Sequence, residues 1–274
     1  MQARLVHTGI AHDHSPPIDI NSRLPEAQRF GMVSAPTDLL DDFTDVWRPR
    51  DSRWMQPAHS IVICTYGRAE SLDATLESLS HQTFRNFEII LLTKKGDLSV
   101  LRDNGIRLAK SDFVSFIDDD VYCPATWLQH VVQAFKKEGV VGLSGPTTIP
   151  QEFRNNRDLF KIKWAKSLYD FLFLGKRASL PGQLSKCGAP STYSNEPGCS
   201  YEGEVDYLEC CNMSVKRKEA LDVGGFDHSY RKTSEWSEVE LSVKLSKKGI
   251  LFFCSGAGLL HKPSKAGVYK HRLS

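Results

Sequence analysis

The chain has 274 residues, 41% hydrophobic and 25% charged, with 35 Lys and Arg against 33 Asp and Glu for a formal net charge of +2. That composition excludes fibrous, collagen-like and mostly disordered classes, and the near-neutral charge argues against a nucleic-acid coat or a polybasic anchor. The length suits one domain of about 200 residues plus an extension, with a core large enough to fold without metal or disulfide.

Residues 1–57 hold six of the 13 prolines and no sustained periodicity, so they read as an irregular Pro-rich arm. Trp47 and Trp54 suggest that its last portion packs on the domain. Met1–His14 has no apolar stretch of signal-peptide length, and no segment reaches the roughly 18 apolar residues of a spanning helix. A reducing, cytoplasmic setting is therefore expected. The seven cysteines include no CxxC pair; a zinc site from Cys187, Cys199, Cys210 and Cys211 would fit no common finger spacing.

From His59 onward short apolar runs alternate with helical patterns. Strands are expected over 60–64, 87–92, 113–117 and 139–143, and helices over 68–81, 99–109 and 127–137. That order means βαβ units and a mostly parallel sheet covered on both faces. After Pro150 the rhythm breaks. Residues 153–174 read as a helix rich in large apolar side chains, either packed on the sheet or facing a membrane or lipid-linked acceptor. Residues 175–205 form a Gly- and Pro-rich, loop-rich insertion of the kind that serves as a functional lid or a flexible segment, and acceptor choice is expected within 151–207. Helices are then expected over 217–223 and 235–248, and a last strand over 250–254.

The most informative feature is Asp118-Asp119-Asp120 at the C-terminal end of a buried strand, where open α/β sheets place their ligands. Adjacent carboxylates repel unless a cation or hydrogen-bond donors offset the charge, and oxygen ligands suit a hard ion such as Mg²⁺ or Mn²⁺. The plainer alternative is a solvated acidic turn before Pro124. Downstream, Glu238 shares a helix face with Leu241 and Leu245, which makes it a candidate general base, with Glu235 in reserve. Glu240 stands four residues before Lys244 and reads as half of a surface ion pair. His261 follows an apolar run and precedes Lys262 and Lys265, a setting for a metal ligand beside anionic phosphates.

These motifs resemble, in order, those of the family 2 inverting glycosyltransferases, over roughly residues 59–261. Ile61–Arg68 is similar to the opening strand and turn that contact the nucleotide base, with Gly67 where the family usually has Asn. Arg102-Asp103-Asn104-Gly105 is similar to an Arg-Asn-x-Gly stretch near the donor, and Asp118-Asp119-Asp120 to the DXD motif. Leu208–Arg217 and Gly224-Gly225-Phe226-Asp227 look like the acceptor-side strand and its turn. Glu238-Val239-Glu240-Leu241 matches the Glu-Asp-x-Asp-Leu region, and His261 the late metal-binding His. The usual base-holding Asp after the second strand is absent, leaving Asp97 to serve from a shifted position. The Gln-x-x-Arg-Trp motif of processive synthases is absent too.

The resemblance implies a GT-A, Rossmann-like fold as one domain over 58–265. A nucleotide-sugar-binding half would span 58–150 and an acceptor-binding half 151–265, before a tail over 266–274. It implies non-processive transfer of one sugar from a nucleoside-diphosphate sugar to a glycan or other hydroxyl acceptor, with Mn²⁺ or Mg²⁺. Glu238 would be the catalytic base, and Asp120 and His261 the metal ligands. Thr65, Tyr66, Arg68, Asp97, Arg102, Asp118, Asp119 and Lys262 would bind the donor. An aspartate-dependent phosphotransferase and a non-catalytic glycan-binding module are the alternatives; Val121-Tyr122 does not fit the Gly-Thr that usually follows a phosphotransferase's nucleophile motif.

Overall fold

A computed structural model describes residues 30–32, 44–49, 56–66, 68–150, 163–174, 180–188, 190–191, 199–232 and 236–263. Gly67, Glu235, Lys265 and the 266–274 tail lie outside them, as do residues 153–162 of the expected long helix.

The first core strand, β3 (His59–Cys64), is an apolar run with β-branched residues at three successive positions, which suits a pleated, fully buried environment. It lies between β4 (Phe87–Leu92) and β5 (Phe113–Ile117) and is parallel to both. Side chains alternate faces along it, and the core divides accordingly. Ile61 and Ile63 pack with Leu72, Leu76 and Leu79 of α1 (Ala69–Ser80) and Trp127 of α3 (Trp127–Ala134). Val62 packs on the opposite face with Leu101 and Ile106 of α2 (Leu98–Leu108), Ala220 of α5 (Arg217–Asp222) and Leu241 and Leu245 of α6 (Ser237–Leu245).

Among the described residues the large sheet has nine strands, in the order β1 (Phe30–Met32), β2 (Thr44–Pro49), β4, β3, β5, β10 (Asn212–Lys216), β7 (Val140–Ser144), β11 (Ile250–Phe253) and β9 (Gly203–Glu204). Within it β4, β3, β5, β7 (Val140–Ser144) and β11 (Ile250–Phe253) run the same way, because β10 (Asn212–Lys216) is antiparallel to both β5 and β7 and β11 is parallel to β7. The reversed β10 begins where its parallel neighbours end: Asn212 faces Ile117. Its lead-in, Tyr207–Cys211, therefore arrives at the C-terminal edge of the sheet. At the far edge β9 (Gly203–Glu204) pairs with β11.

A smaller sheet stands over that edge, in the order β6-β12-β8, from β6 (Val121–Tyr122), β12 (Leu259–His261) and β8 (Thr147–Thr148). Its register sets His261 opposite Val121.

One expectation is corrected: the arm read as irregular over 1–57 supplies two strands, β1 (Phe30–Met32) and β2 (Thr44–Pro49), and β2 extends the sheet antiparallel to β4. Of the helix expected over 153–174, the described residues 163–174 are helical, as α4 (Lys163–Tyr169) and a π-helical turn over Asp170–Leu174.

Candidate active site

Asp118, Asp119 and Asp120 leave β5 at the C-terminal edge, the position where parallel sheets present their ligand crevice. His261 is carried over them by β12, and the Lys262 amide donates to the Asp120 carbonyl at 2.9 Å, which fixes the two segments together. The His261 Nε2 lies 3.0 Å from Asp120 Oδ1 and 3.7 Å from Asp118 Oδ2. Ligand atoms of Asp118, Asp120 and His261 all fall within 4.8 Å of one another, the one such cluster among the described residues. Two carboxylates and an imidazole converging this closely fit a hard or borderline divalent ion with open positions. Burial disfavours the protonated His261, but the Asp120 hydrogen bond, the Cys211 thiol and the Asp118 charge outweigh it and carry the pKa up to about 11. The imidazole thus holds a proton that a bound cation would displace.

Asp119 points the other way. Its carboxylate is fully buried, with Oδ1 2.9 Å from Arg68 Nη2, while the other terminal nitrogen of that guanidinium, Nη1, lies 3.4 Å from Asp120 Oδ2. Burial raises its pKa to about 6, while the Thr65 hydroxyl and the Arg68 charge pull it down. Asp119, expected to touch the donor, thus faces the inside of the fold against Arg68, and Thr65, another expected donor residue, is buried at the end of β3.

Arg102 enters from α2, buried, with its guanidinium carbon 5.8 Å above the Phe226 ring. Burial works against its charge, but Cys210, Asp118, Cys64 and Glu238 outweigh it and raise its pKa. Asp118 and Glu238 thus act on one buried cation. Glu238 stands in the first turn of α6, where a negative charge is favoured. That turn is docked on the β10 lead-in: the Ser242 hydroxyl donates to the Glu238 carbonyl at 2.6 Å and accepts the Leu208 amide at 3.0 Å. The entry to α6 is strained, with Trp236 at φ 73° in the left-handed region and half exposed.

Residues 60–93 and 91–195 match the model of glycosyl transferase family 2. The chain belongs to that family. A chondroitin synthase of Pasteurella multocida (strain Pm70) is 24% identical over 86% of this family 2 chain, which spans 28% of that protein's length. The structure of GalNAc-T7 with UDP, GalNAc and Mn2+ superposes at a TM-score of 0.52 and 12% identity, covering 81% of this chain and 46% of that one. S. aureus TarS 1–349 in complex with UDP-GlcNAc does so at 0.50 and 12%, covering 76% and 59%. These likenesses show the GT-A fold.

The remaining expected donor residues are distributed unevenly. Tyr66 is half exposed at the end of β3, with the Lys95 ammonium 5.9 Å from its ring centre. Lys262 is exposed beside the acidic cluster. Asp97 is not brought to that cluster: its carboxylate accepts the Lys232 amide at 2.6 Å and pairs with Arg231 at 3.2 Å, contacts that hold its pKa below the usual range. Asp103, on the family's donor-side stretch, is likewise engaged, accepting the Phe226 amide at 2.9 Å and meeting His228 at 2.8 Å. The β10 lead-in also carries Tyr207 and Glu209, which the sequence does not single out. Tyr207 is buried and donates its hydroxyl to the Ser191 carbonyl at 3.0 Å, and burial, with the Glu209 and Glu238 charges, raises its pKa. Their signal was faint, a single Glu before Cys210-Cys211 in a segment with no periodicity.

Proposed function

We propose that the chain is a metal-dependent, inverting glycosyltransferase that moves one sugar from a nucleoside-diphosphate sugar to an acceptor hydroxyl, non-processively, in glycan, polysaccharide or glycoconjugate synthesis. The observation that carries this reading is the Asp118–Asp120–His261 cluster at the C-terminal edge of the sheet. Asp120 and His261 would hold Mn²⁺ or Mg²⁺, with Asp118 shared between the ion and the donor. A divalent ion so held would offset the charge that develops on the departing diphosphate. Tyr66 offers a ring face to the base, and Lys262 and Arg102 offer cations to the diphosphate. Glu238 takes the proton of the acceptor hydroxyl as that oxygen attacks the anomeric carbon from the face opposite the leaving group. UDP-sugars are the first donors to try, since UDP and UDP-GlcNAc accompany the similar structures and the sequence relative is a chondroitin synthase.

General-base assistance contributes roughly 10²–10⁴ in rate. Glu238→Gln should therefore keep the rise in melting temperature given by nucleoside diphosphate with Mn²⁺ and lose transfer by that factor. Unchanged turnover in the variant would remove Glu238 from the mechanism.

A further inference from the structure

The helix α4 and the π-helical turn after it leave a row of large apolar side chains in solvent. Trp164 is 70% exposed and Phe171 80%, with Leu168, Leu172 and Phe173 beside them. Positions 164, 168 and 171–172 fall on successive turns, so the row follows one side of the element. Its other side is tied down: the Tyr169 hydroxyl donates to the Pro190 carbonyl at 2.9 Å. The next carbonyl, that of Ser191, accepts the buried Tyr207 hydroxyl at 3.0 Å, which ties the element to the β10 lead-in.

Charge distinguishes this segment from the rest of the chain. Residues 154–177 carry seven Lys and Arg (Arg154, Arg157, Lys161, Lys163, Lys166, Lys176, Arg177) against Asp158 and Asp170, a net +5 in a chain of +2. No helix among the described residues is long and apolar enough to cross a membrane. The element itself holds Lys163 and Lys166 against Asp170, and the other five cations flank it in sequence; exposed Trp and Phe between such flanks suit the headgroup boundary, and each cation near an anionic leaflet adds attraction. A purely apolar protein groove would match the exposed row but not the excess of positive charge. We propose that α4 and the following turn dock the chain on an anionic lipid bilayer, lying in its surface with Trp164, Phe171 and Leu172 inserted.

Co-sedimentation of the full chain with vesicles tests this without any sugar donor, so failure of the transferase reading would not affect the result. Binding to phosphatidylcholine vesicles containing about a third phosphatidylglycerol should exceed binding to pure phosphatidylcholine at least tenfold, and should weaken severalfold in high salt. Phe171→Ser with Leu172→Ser should lower the partition coefficient at least tenfold while the melting temperature and near-ultraviolet spectrum stay unchanged. Vesicles with brominated acyl chains should quench tryptophan fluorescence, and Trp164→Phe should abolish most of that quenching. The proposal is overturned by absence of vesicle binding, by binding indifferent to these substitutions, or by a dimer that the serine pair dissociates without any affinity for lipid.

Discussion

The Asp120 carboxylate meets His261 at 3.0 Å, while that of its neighbour Asp119 lies against Arg68 at 2.9 Å with no exposure to solvent. Beyond Ile117 the chain leaves β5 for a turn, in which Asp118 and the buried Asp120 converge on His261 while Asp119 faces Arg68. Neither that split nor the pairing with Arg68 was available from sequence, because nothing in Arg68 itself tells a phosphate contact from a structural ion pair. Asp103 gives the complementary lesson. Its place beside Arg102 invited a role near the donor, yet both of its oxygens are spent on the Gly224–Asp227 turn and His228. Asp103→Ala leaves the buried Phe226 amide without its acceptor and should lower unfolding free energy by about 1–3 kcal/mol. Denaturant titration reads that loss, and affinity for nucleoside diphosphate should stay within a few-fold of the parent.

Among the elements, the parallel strands β3, β4, β5 and β7 and helices α1, α2 and α3 were legible to within about three residues, because buried apolar runs and helical spacing dominate them. The strand β2 was not. It reads Thr44-Asp45-Val46-Trp47-Arg48-Pro49, with two apolar residues side by side and a terminal proline, a pattern tolerated near a sheet edge and without period. Nor could periodicity show that β12 pairs with β6 and so carries His261 across 141 residues to Asp120. The close contact of α2 with β3 has a local cause in Gly105, where an added Cβ would overlap the Val62 side chain. Gly105→Ala gains helix propensity but forces that contact apart, so it should destabilise by about 1–3 kcal/mol. Thermal melting decides the sign; a stabilised variant would mean that the contact relaxes freely.

Across the whole molecule the net charge of +2 hides a division of labour: carboxylates converge at the sheet edge, lysines stand beside them, and the excess of positive charge concentrates in 154–177. The interior of the sheet holds a neutral polar chain instead, His59 Nε2 to the Ser115 hydroxyl at 2.7 Å and Ser115 to Ser214 at 2.6 Å. Burial lowers the His59 pKa from 6.5 to about 3. Between those values the unfolded chain binds the proton and the folded chain does not, so stability falls as pH drops from about 6.5, by at most about 1.4 kcal/mol per pH unit. Above pH 6.5 this group contributes no slope. Comparing denaturation at pH 7 and pH 5 should show the loss, and His59→Gln should flatten it.

Calorimetric titration of the full chain with UDP, in the presence and absence of Mn²⁺ and repeated on Asp120→Ala and His261→Ala, bears most directly on the proposed metal-dependent transfer. The expected result is UDP binding that strengthens at least tenfold with Mn²⁺ in the parent and loses that gain in both variants. UDP affinity indifferent to Mn²⁺, or a gain that survives both substitutions, would contradict it.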